Sequence, residues 1–95
     1  MNTRKITAAE DNIFEDLGFD KAEAENLKIR AELMMQVKRY IKKNNLTQKE
    51  AALRFGVDQP RISKLMAGKI ELFTIDLLIQ MLAKVDIKMI LREAA

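Results

Sequence analysis

The sequence of 95 residues contains no cysteine and no histidine. Without cysteine, these residues form no disulfide bond and offer no thiolate to a metal ion or to a nucleophilic reaction. Without histidine, they also lack a second common zinc ligand and the most frequent general base of enzymes. No pair of carboxylates and no nucleophile with a neighbouring base is recognisable in their place. We therefore expect a protein that is not an enzyme and that needs neither a cofactor nor a metal ion.

Long hydrophobic runs are also absent. The most apolar stretch, "LFTIDLLIQMLAKV", contains Asp76 and Gln80 and is shorter than the roughly 18 to 20 residues that a membrane-spanning helix requires. The opening "MNTRKITAAEDN" turns acidic before any apolar run develops, so it lacks the hydrophobic region of a secretory signal. The sequence therefore predicts a cytoplasmic protein that does not enter a membrane.

Aromatic residues, proline and glycine are scarce, with no tryptophan, one tyrosine, four phenylalanines, one proline and three glycines. An aliphatic interior with few helix-breaking residues favours helices. The length suits one compact domain. We predict a flexible N-terminal tail over residues 1–11, followed by a single domain over residues 12–95.

Positive charge is abundant in one part of the sequence. Residues 38–69 carry nine basic and two acidic side chains, a net charge of +7. The net charge is −3 for residues 1–37 and −1 for residues 70–95. A basic segment of this density is typical of a surface that binds a polyanion such as DNA. The alternative is a helix surface whose charges are merely solvated.

Apolar residues recur at three- and four-residue intervals, and helix-capping residues precede these segments. The pattern predicts five helices: one or two turns in "NIFEDLGF", a long helix capped by Asp20 and ended by "KKNN", two short helices within residues 47–68, and a last helix capped by Thr74. Thr47 and Glu50 have the spacing of a capping box, so the third helix should begin at Gln48. Either Asp58 or Gln59 caps the fourth helix.

The period of the apolar residues changes near the end of the sequence. In "VDIKMILR", residues 85–92, apolar and polar residues alternate, which is typical of a half-buried β-strand. The alternating apolar residues are Val85, Ile87, Met89 and Leu91. No second strand is recognisable, so this strand would pair with its copy in another subunit. We predict a homodimer with these four residues in its interface; the alternative is that the last helix simply continues.

The two short helices of residues 47–68 are separated by Gly56, which permits a sharp turn between them. Four residues are small or apolar and spaced to face the core: Ala52, Val57, Ile62 and Leu65. If these residues are buried, Gln59 and Arg61 must project outward from the second of the two helices.

This pattern in "LTQKEAALRFGVDQPRISKLMAGK" resembles the helix-turn-helix of the Cro/repressor (XRE-type) class. The segments "NIFEDLGF", "TQKEAA", "QPRIS" and "GKIELFTIDLLIQML", with the predicted terminal strand, resemble the HigA-type antitoxins and their single-domain repressor relatives. The resemblance implies a mainly α-helical, five-helix, lambda-repressor-like domain. It also implies a dimer that binds a palindromic operator in double-stranded DNA and represses its own operon. Many members of that group also bind a ribosome-dependent ribonuclease toxin.

The residues expected to contact DNA are Thr47, Gln48, Gln59, Pro60, Arg61, Ser63, Lys64 and Lys69. An α-helix fits the major groove with its first residues facing base edges, where Gln59 can bond to adenine and Arg61 to guanine. Ser63 and Lys64 can reach bases or phosphates. Lys69 would contribute to the salt-sensitive part of the affinity.

The start of the third helix is expected to contact a phosphate through Gln48, with help from Thr47, because a helix N-terminus attracts anions. The alternatives are that Thr47 is only a helix cap and that Gln48 is only a solvated residue.

A second apolar feature lies in the acidic N-terminal part of the sequence. Its residues Ile13, Phe14, Leu17 and Phe19 could dock on a basic ribonuclease, or could cover the core of the domain itself. The sequence therefore predicts a DNA-binding transcriptional repressor of bacterial type, and more narrowly a HigA-type antitoxin that controls its own operon. The alternatives are a stand-alone or phage-type XRE repressor and an interaction protein that mainly neutralises a ribonuclease toxin.

Overall fold

A computed structural model describes residues 12–94 of the chain. The described residues form five α-helices and one short 3₁₀ helix: α1 Ile13–Asp16, α2 Lys21–Lys43, α3 Gln48–Phe55, α4 Gln59–Met66, the 3₁₀ helix Ile70–Leu72 and α5 Ile75–Lys84. The five predicted helices are confirmed in the predicted order. The predicted flexible tail, residues 1–11, lies outside the described residues.

Each α-helix begins after a side chain that accepts a hydrogen bond from an amide N–H of the first turn, and these capping residues are Asn12, Asp20, Thr47, Asp58 and Thr74. The cap of α4 is therefore Asp58 and not Gln59. One such cap contributes about 0.5 to 2 kcal/mol. This contribution matters most for α1, α3 and α4, because helices of 4 or 8 residues are too short to be stable by themselves.

The long helix α2 is the element on which the other helices pack. The core formed between them consists of apolar side chains: Leu33, Met34, Val37, Ile41, Ala51, Ala52, Phe55, Ile62, Leu65, Phe73, Leu78, Met81 and Leu82. No polar or charged side chain among the described residues is buried. Because full burial of one large aliphatic side chain contributes about 1.5 to 3 kcal/mol, this cluster is the main source of stability.

The turn between α3 and α4 has the predicted geometry. Gly56 ends α3 with φ 70°, in the left-handed region that glycine adopts without strain. The next amide, Val57 N–H, returns to the carbonyl oxygen of Ala52 at 3.0 Å. As predicted, Ala52, Ile62 and Leu65 are buried, and Val57 packs half-buried against them.

The predicted strand over residues 85–92 is wrong, and so is the alternative that α5 continues. Helix α5 ends at Lys84, and the next residues make the hydrogen bonds of a helix C-terminus. The amide N–H of Asp86, at φ 62°, donates to Ala83 O at 3.1 Å, and that of Ile87 donates to Leu82 O at 3.0 Å. Residues 87–94 have no regular secondary structure. A strand needs a neighbouring strand for its hydrogen bonds, and the described residues provide none.

The alternation that suggested a strand is still visible in the packing of this segment. Val85, Ile87 and Met89 are half-buried and pack against the core of their own chain, whereas the intervening residues are exposed. Leu91 does not follow them, since 88% of its surface is exposed. The period of two therefore reflects side chains that alternate in burial in a segment that lies on the domain.

Candidate nucleic-acid interface

The surface of α4 divides into a buried side and an exposed side. Ile62 and Leu65 are both 0% exposed and anchor the helix in the core. The side chains of Gln59, Ser63 and Lys64 are exposed, as is Pro60 in the first turn. Helix α4 therefore presents an amide, a hydroxyl and an ammonium group to solvent. These are groups that hydrogen-bond to base edges or to phosphates.

The first turn of α3 also lies at the surface. The Thr47 hydroxyl accepts the Glu50 amide N–H at 3.1 Å, and the Glu50 carboxylate accepts the Thr47 amide N–H at 2.8 Å. These bonds form the predicted capping box. The amides of Gln48 and Lys49 have no partner within the helix, so they remain as donors for an anion. Lys49 was not among the predicted DNA contacts, although its place as the second residue after the cap Thr47 could have indicated it.

The Glu50 carboxyl group of the capping box is held in its charged form. The Thr47 backbone N–H, and secondarily its hydroxyl, hold the pKa of the Glu50 carboxyl below its ordinary value, with a smaller contribution from Arg54. The carboxylate therefore remains ionised at neutral pH and keeps its bond to the backbone. It also fixes the start of α3 in the orientation that directs the amides of its first turn outward.

Arg61 does not project freely from α4. Its backbone N–H donates to the Asp58 carboxylate at 2.8 Å. Its guanidinium turns back over the protein, where Nη1 donates to the carbonyl oxygen of Leu72 at 3.2 Å. The guanidinium carbon lies 5.8 Å from the centroid of the Phe73 ring. The side chain is half-buried as a result, and no spacing rule in the sequence indicated this contact across 11 residues.

Lys69 lies between α4 and the 3₁₀ helix, in an exposed position that follows Gly68 at φ 76°. Its amide N–H donates to Lys64 O at 3.1 Å, which closes the C-terminal end of α4. At the end of α2 the side chains of Arg39, Lys42 and Lys43 are also exposed. The positive charge of the middle third of the chain is therefore exposed at the surface and is not neutralised in buried ion pairs.

The N-terminal apolar residues form a separate surface feature. Phe14 and Phe19 make an edge-to-face contact with ring centroids 6.3 Å apart. Phe14 is half-buried, but Ile13, Leu17 and Phe19 are 60%, 70% and 42% exposed. Most of this group therefore does not cover the core. A groove beside it is lined by Phe14, Phe19, Leu27, Arg30 and Ile70, with Glu23 and Glu71 among the polar residues at its edge.

Residues 12–94 contain neither a metal-binding cluster nor a membrane-spanning helix. No cluster of three or more acidic residues in this range has the arrangement of a metal site. No helix in the same range is long and apolar enough to cross a membrane.

Residues 13–92 match the sequence model of the helix-turn-helix domain family. The match covers all five α-helices and most of the segment that follows α5. No curated protein matches the chain.

Proposed function

The chain belongs to the helix-turn-helix domain family, and from this premise we propose that it is a sequence-specific repressor of transcription that binds double-stranded DNA. The observation that carries the proposal is the exposed side of α4, which displays Gln59, Ser63 and Lys64 above a buried anchor. When a helix-turn-helix binds DNA, the second of the two short helices lies in the major groove and the first crosses the DNA backbone. The function needs no catalytic group, and we regard the protein as a non-enzymatic regulator.

In the proposed complex, residues of α4 read the DNA sequence and the residues around them bind the backbone. Gln59 makes the bidentate pair with adenine that an amide side chain favours. Ser63 and Lys64 contact bases or flanking phosphates. The first turn of α3, with Thr47 as its cap and Gln48 exposed, receives a phosphate at its N-terminus.

Lys69 and the exposed cations at the end of α2 supply further phosphate contacts. Such contacts position the protein without specifying a sequence. Pro60 shapes the first turn of α4, where its missing N–H costs nothing.

The test of the function is selection of DNA from a pool of random duplexes, followed by titration of the selected duplex over a series of salt concentrations. We expect one enriched sequence and a logarithm of the binding constant that falls linearly with the logarithm of salt concentration. Equal binding to all duplexes would reduce the function to non-specific DNA binding. No binding at low salt would contradict it.

We further propose that the protein binds a palindromic operator as a homodimer. The support is the apolar C-terminal segment, in which Ile90 and Leu91 are exposed beside the half-buried Met89. Two copies would each contact one half-site, with centres about 34 to 36 Å apart along the DNA. The selected sequence should then be an inverted repeat.

The dimer can be tested without DNA. A Leu91→Lys variant places a charge on the exposed apolar position, and we expect it to sediment as a monomer. Glu93→Lys, which adds a positive charge two residues away at an exposed polar position, should remain a dimer. A dimer that persists in Leu91→Lys would place the interface elsewhere.

More narrowly, we propose a cytoplasmic, nucleoid-associated HigA-type antitoxin of bacterial origin that represses its own operon. The support is the resemblance over α1, α3, α4 and α5. The alternative within the same class is a stand-alone or phage-type XRE repressor. Co-purification with the product of the neighbouring gene distinguishes them, because only an antitoxin should retain a ribonuclease encoded beside it.

A second function, neutralisation of a ribonuclease toxin, is favoured by one observation. The exposed apolar residues Ile13, Leu17 and Phe19 lie in a segment that also exposes Glu15 and Asp16. An apolar patch with acidic neighbours is suited to a basic protein partner. If this patch is the docking site, Leu17→Lys should abolish toxin binding while DNA binding is retained.

A further inference from the structure

The side chain of Arg61 is directed to the protein and not to solvent. It makes two contacts, the 3.2 Å hydrogen bond to Leu72 O and the approach to the Phe73 ring at 5.8 Å. Phe73 is 1% exposed and belongs to the core, so its ring cannot follow an arginine that moves outward. If the side chain turned outward to pair with a guanine, the guanidinium would therefore give up both contacts.

The carbonyl oxygen that accepts from Arg61 belongs to a short 3₁₀ helix. The 3₁₀ helix Ile70–Leu72 has three residues and no side-chain cap at its start. A second arginine, Arg30 of α2, donates from Nη1 to Ile70 O at 3.2 Å. Two arginines from different helices thus hold the first and last carbonyl groups of this helix. Because hydrogen bonds from charged donors are stronger than neutral ones, they are well suited to fix so short an element.

We propose that Arg61 is a positioning residue of the DNA-binding site, which holds residues 68–73 against the first turn of α4 and does not read a base. Lys69 lies in this segment, directly before the 3₁₀ helix. Phosphate contacts set the register of a recognition helix on DNA. Arg61 therefore aligns the phosphate contact of Lys69 with the base contact of Gln59. The proposal rests on the proposed DNA-binding function and assigns a different role to one of its residues.

The first experiment uses the free protein, so its outcome does not depend on DNA. Hydrogen exchange is measured at the amides of Leu72 and Phe73, which donate to Lys69 O and Ile70 O at 3.0 and 3.2 Å. Arg61→Met removes the guanidinium but keeps a long side chain. We expect faster exchange at both amides, while amides within α2 keep the wild-type rates. Unchanged exchange at Leu72 and Phe73 would overturn the proposal.

The matched control is Arg30→Met, which removes the same kind of bond to the same 3₁₀ helix from α2 instead of α4. The two variants should behave alike on DNA. We expect each to select the wild-type sequence from random duplexes and to bind all duplexes about tenfold more weakly, because the segment that the arginine no longer holds must then be ordered on binding. Arg61→Lys, which can still donate to Leu72 O, should recover part of the affinity.

A base-reading role for Arg61 predicts a different result. Arg61→Met would lose the preference for guanine at one position of each half-site, while Arg30→Met would keep it, and this outcome would overturn the proposal. If the wild-type protein selects no sequence at all, the proposed function fails. In that case the exchange rates of Leu72 and Phe73 still decide whether Arg61 holds the 3₁₀ helix.

Discussion

The helices α3 and α4 and the C-terminal segment of residues 87–94 satisfy their backbone hydrogen bonds in different ways. In each helix the amides beyond the first turn donate to carbonyl oxygens of the helix or of its capping residue, and the side chains of Thr47 and Asp58 each accept one amide of the first turn. In residues 88–94, by contrast, the backbone makes no hydrogen bond to another described residue. The comparison shows that the helix pair is a complete unit within one chain. The C-terminal segment keeps backbone groups available for water or for a partner.

The largest difference between the two regions should appear in stability. Ile62→Ala removes a fully buried side chain of α4, and we expect a loss of about 2 to 5 kcal/mol in the free energy of unfolding. Glu93→Ala in the C-terminal segment should change it by less than about 0.5 kcal/mol, because the side chain is exposed and lies outside the proposed dimer contact. Urea unfolding followed by circular dichroism measures both. Equal losses would show that the C-terminal segment is as tightly packed as the helix pair.

Sequence recognition should be confined to the helix pair. Gln59→Ala should weaken binding to the selected duplex by about 1 to 3 kcal/mol and relax the preference at one position of each half-site. Gln80→Ala, which removes an exposed amide from α5, serves as the control and should bind like the wild type. Titration by fluorescence anisotropy with matched and mismatched duplexes gives both values. A uniform loss over all duplexes for Gln59→Ala would show that Gln59 contacts the DNA backbone instead.

The left-handed residues that follow α3 and α5 should respond to substitution with opposite signs. Gly56→Ala adds a Cβ at φ 70°, which costs about 1 to 2 kcal/mol in this conformation. The new atom would also lie 3.4 Å from the Lys84 side chain. Asp86→Gly removes a side chain at φ 62° and should be neutral or stabilising by up to about 1 kcal/mol. Thermal unfolding of the two variants measures the difference, and destabilisation by Asp86→Gly would show that its side chain has another role.

The smallest effect concerns the capping box of α3. The pKa of Glu50 is lowered in the folded chain, so its carboxylate stabilises the fold above its ordinary pKa. This contribution is lost as the pH falls through the lowered folded value. The advantage in stability of the wild type over Glu50→Gln should therefore shrink with acidification. The midpoints of urea unfolding of both proteins at neutral and acidic pH test this. If the wild type were more stable by the same amount at both pH values, the ionised carboxylate would not be the cause.

The predictions from the sequence succeeded where the deciding interactions are local. The caps at Asp20, Thr47 and Thr74 follow from residues within four positions of each other. The burial of Ile62 follows from helical spacing. For α4, the sequence left the cap open between Asp58 and Gln59, and the hydrogen bond from Arg61 N–H decided it.

The predictions from the sequence were wrong, or no sequence pattern indicated the feature, where contacts between distant residues determine the structure. The period of two in residues 85–92 describes side chains that alternate in burial, but it does not contain the partner that a strand requires. Asp86 and Ile87 donate their amides to the end of α5 instead. Likewise, the outward projection of Arg61 was inferred from its place on α4, and only the position of Leu72 O shows where the guanidinium lies.

By itself, the sequence determined five helices, the caps of α2, α3 and α5, the glycine turn between α3 and α4 and the buried side of α4, because each depends on residues within one or two helical turns. Tertiary structure alone decided the course of residues 85–94, the exposure of the N-terminal apolar residues and the direction of the Arg61 side chain. The physical reason is that these features depend on which groups from distant parts of the chain come within hydrogen-bonding or van der Waals distance. That proximity is fixed only when the helices pack.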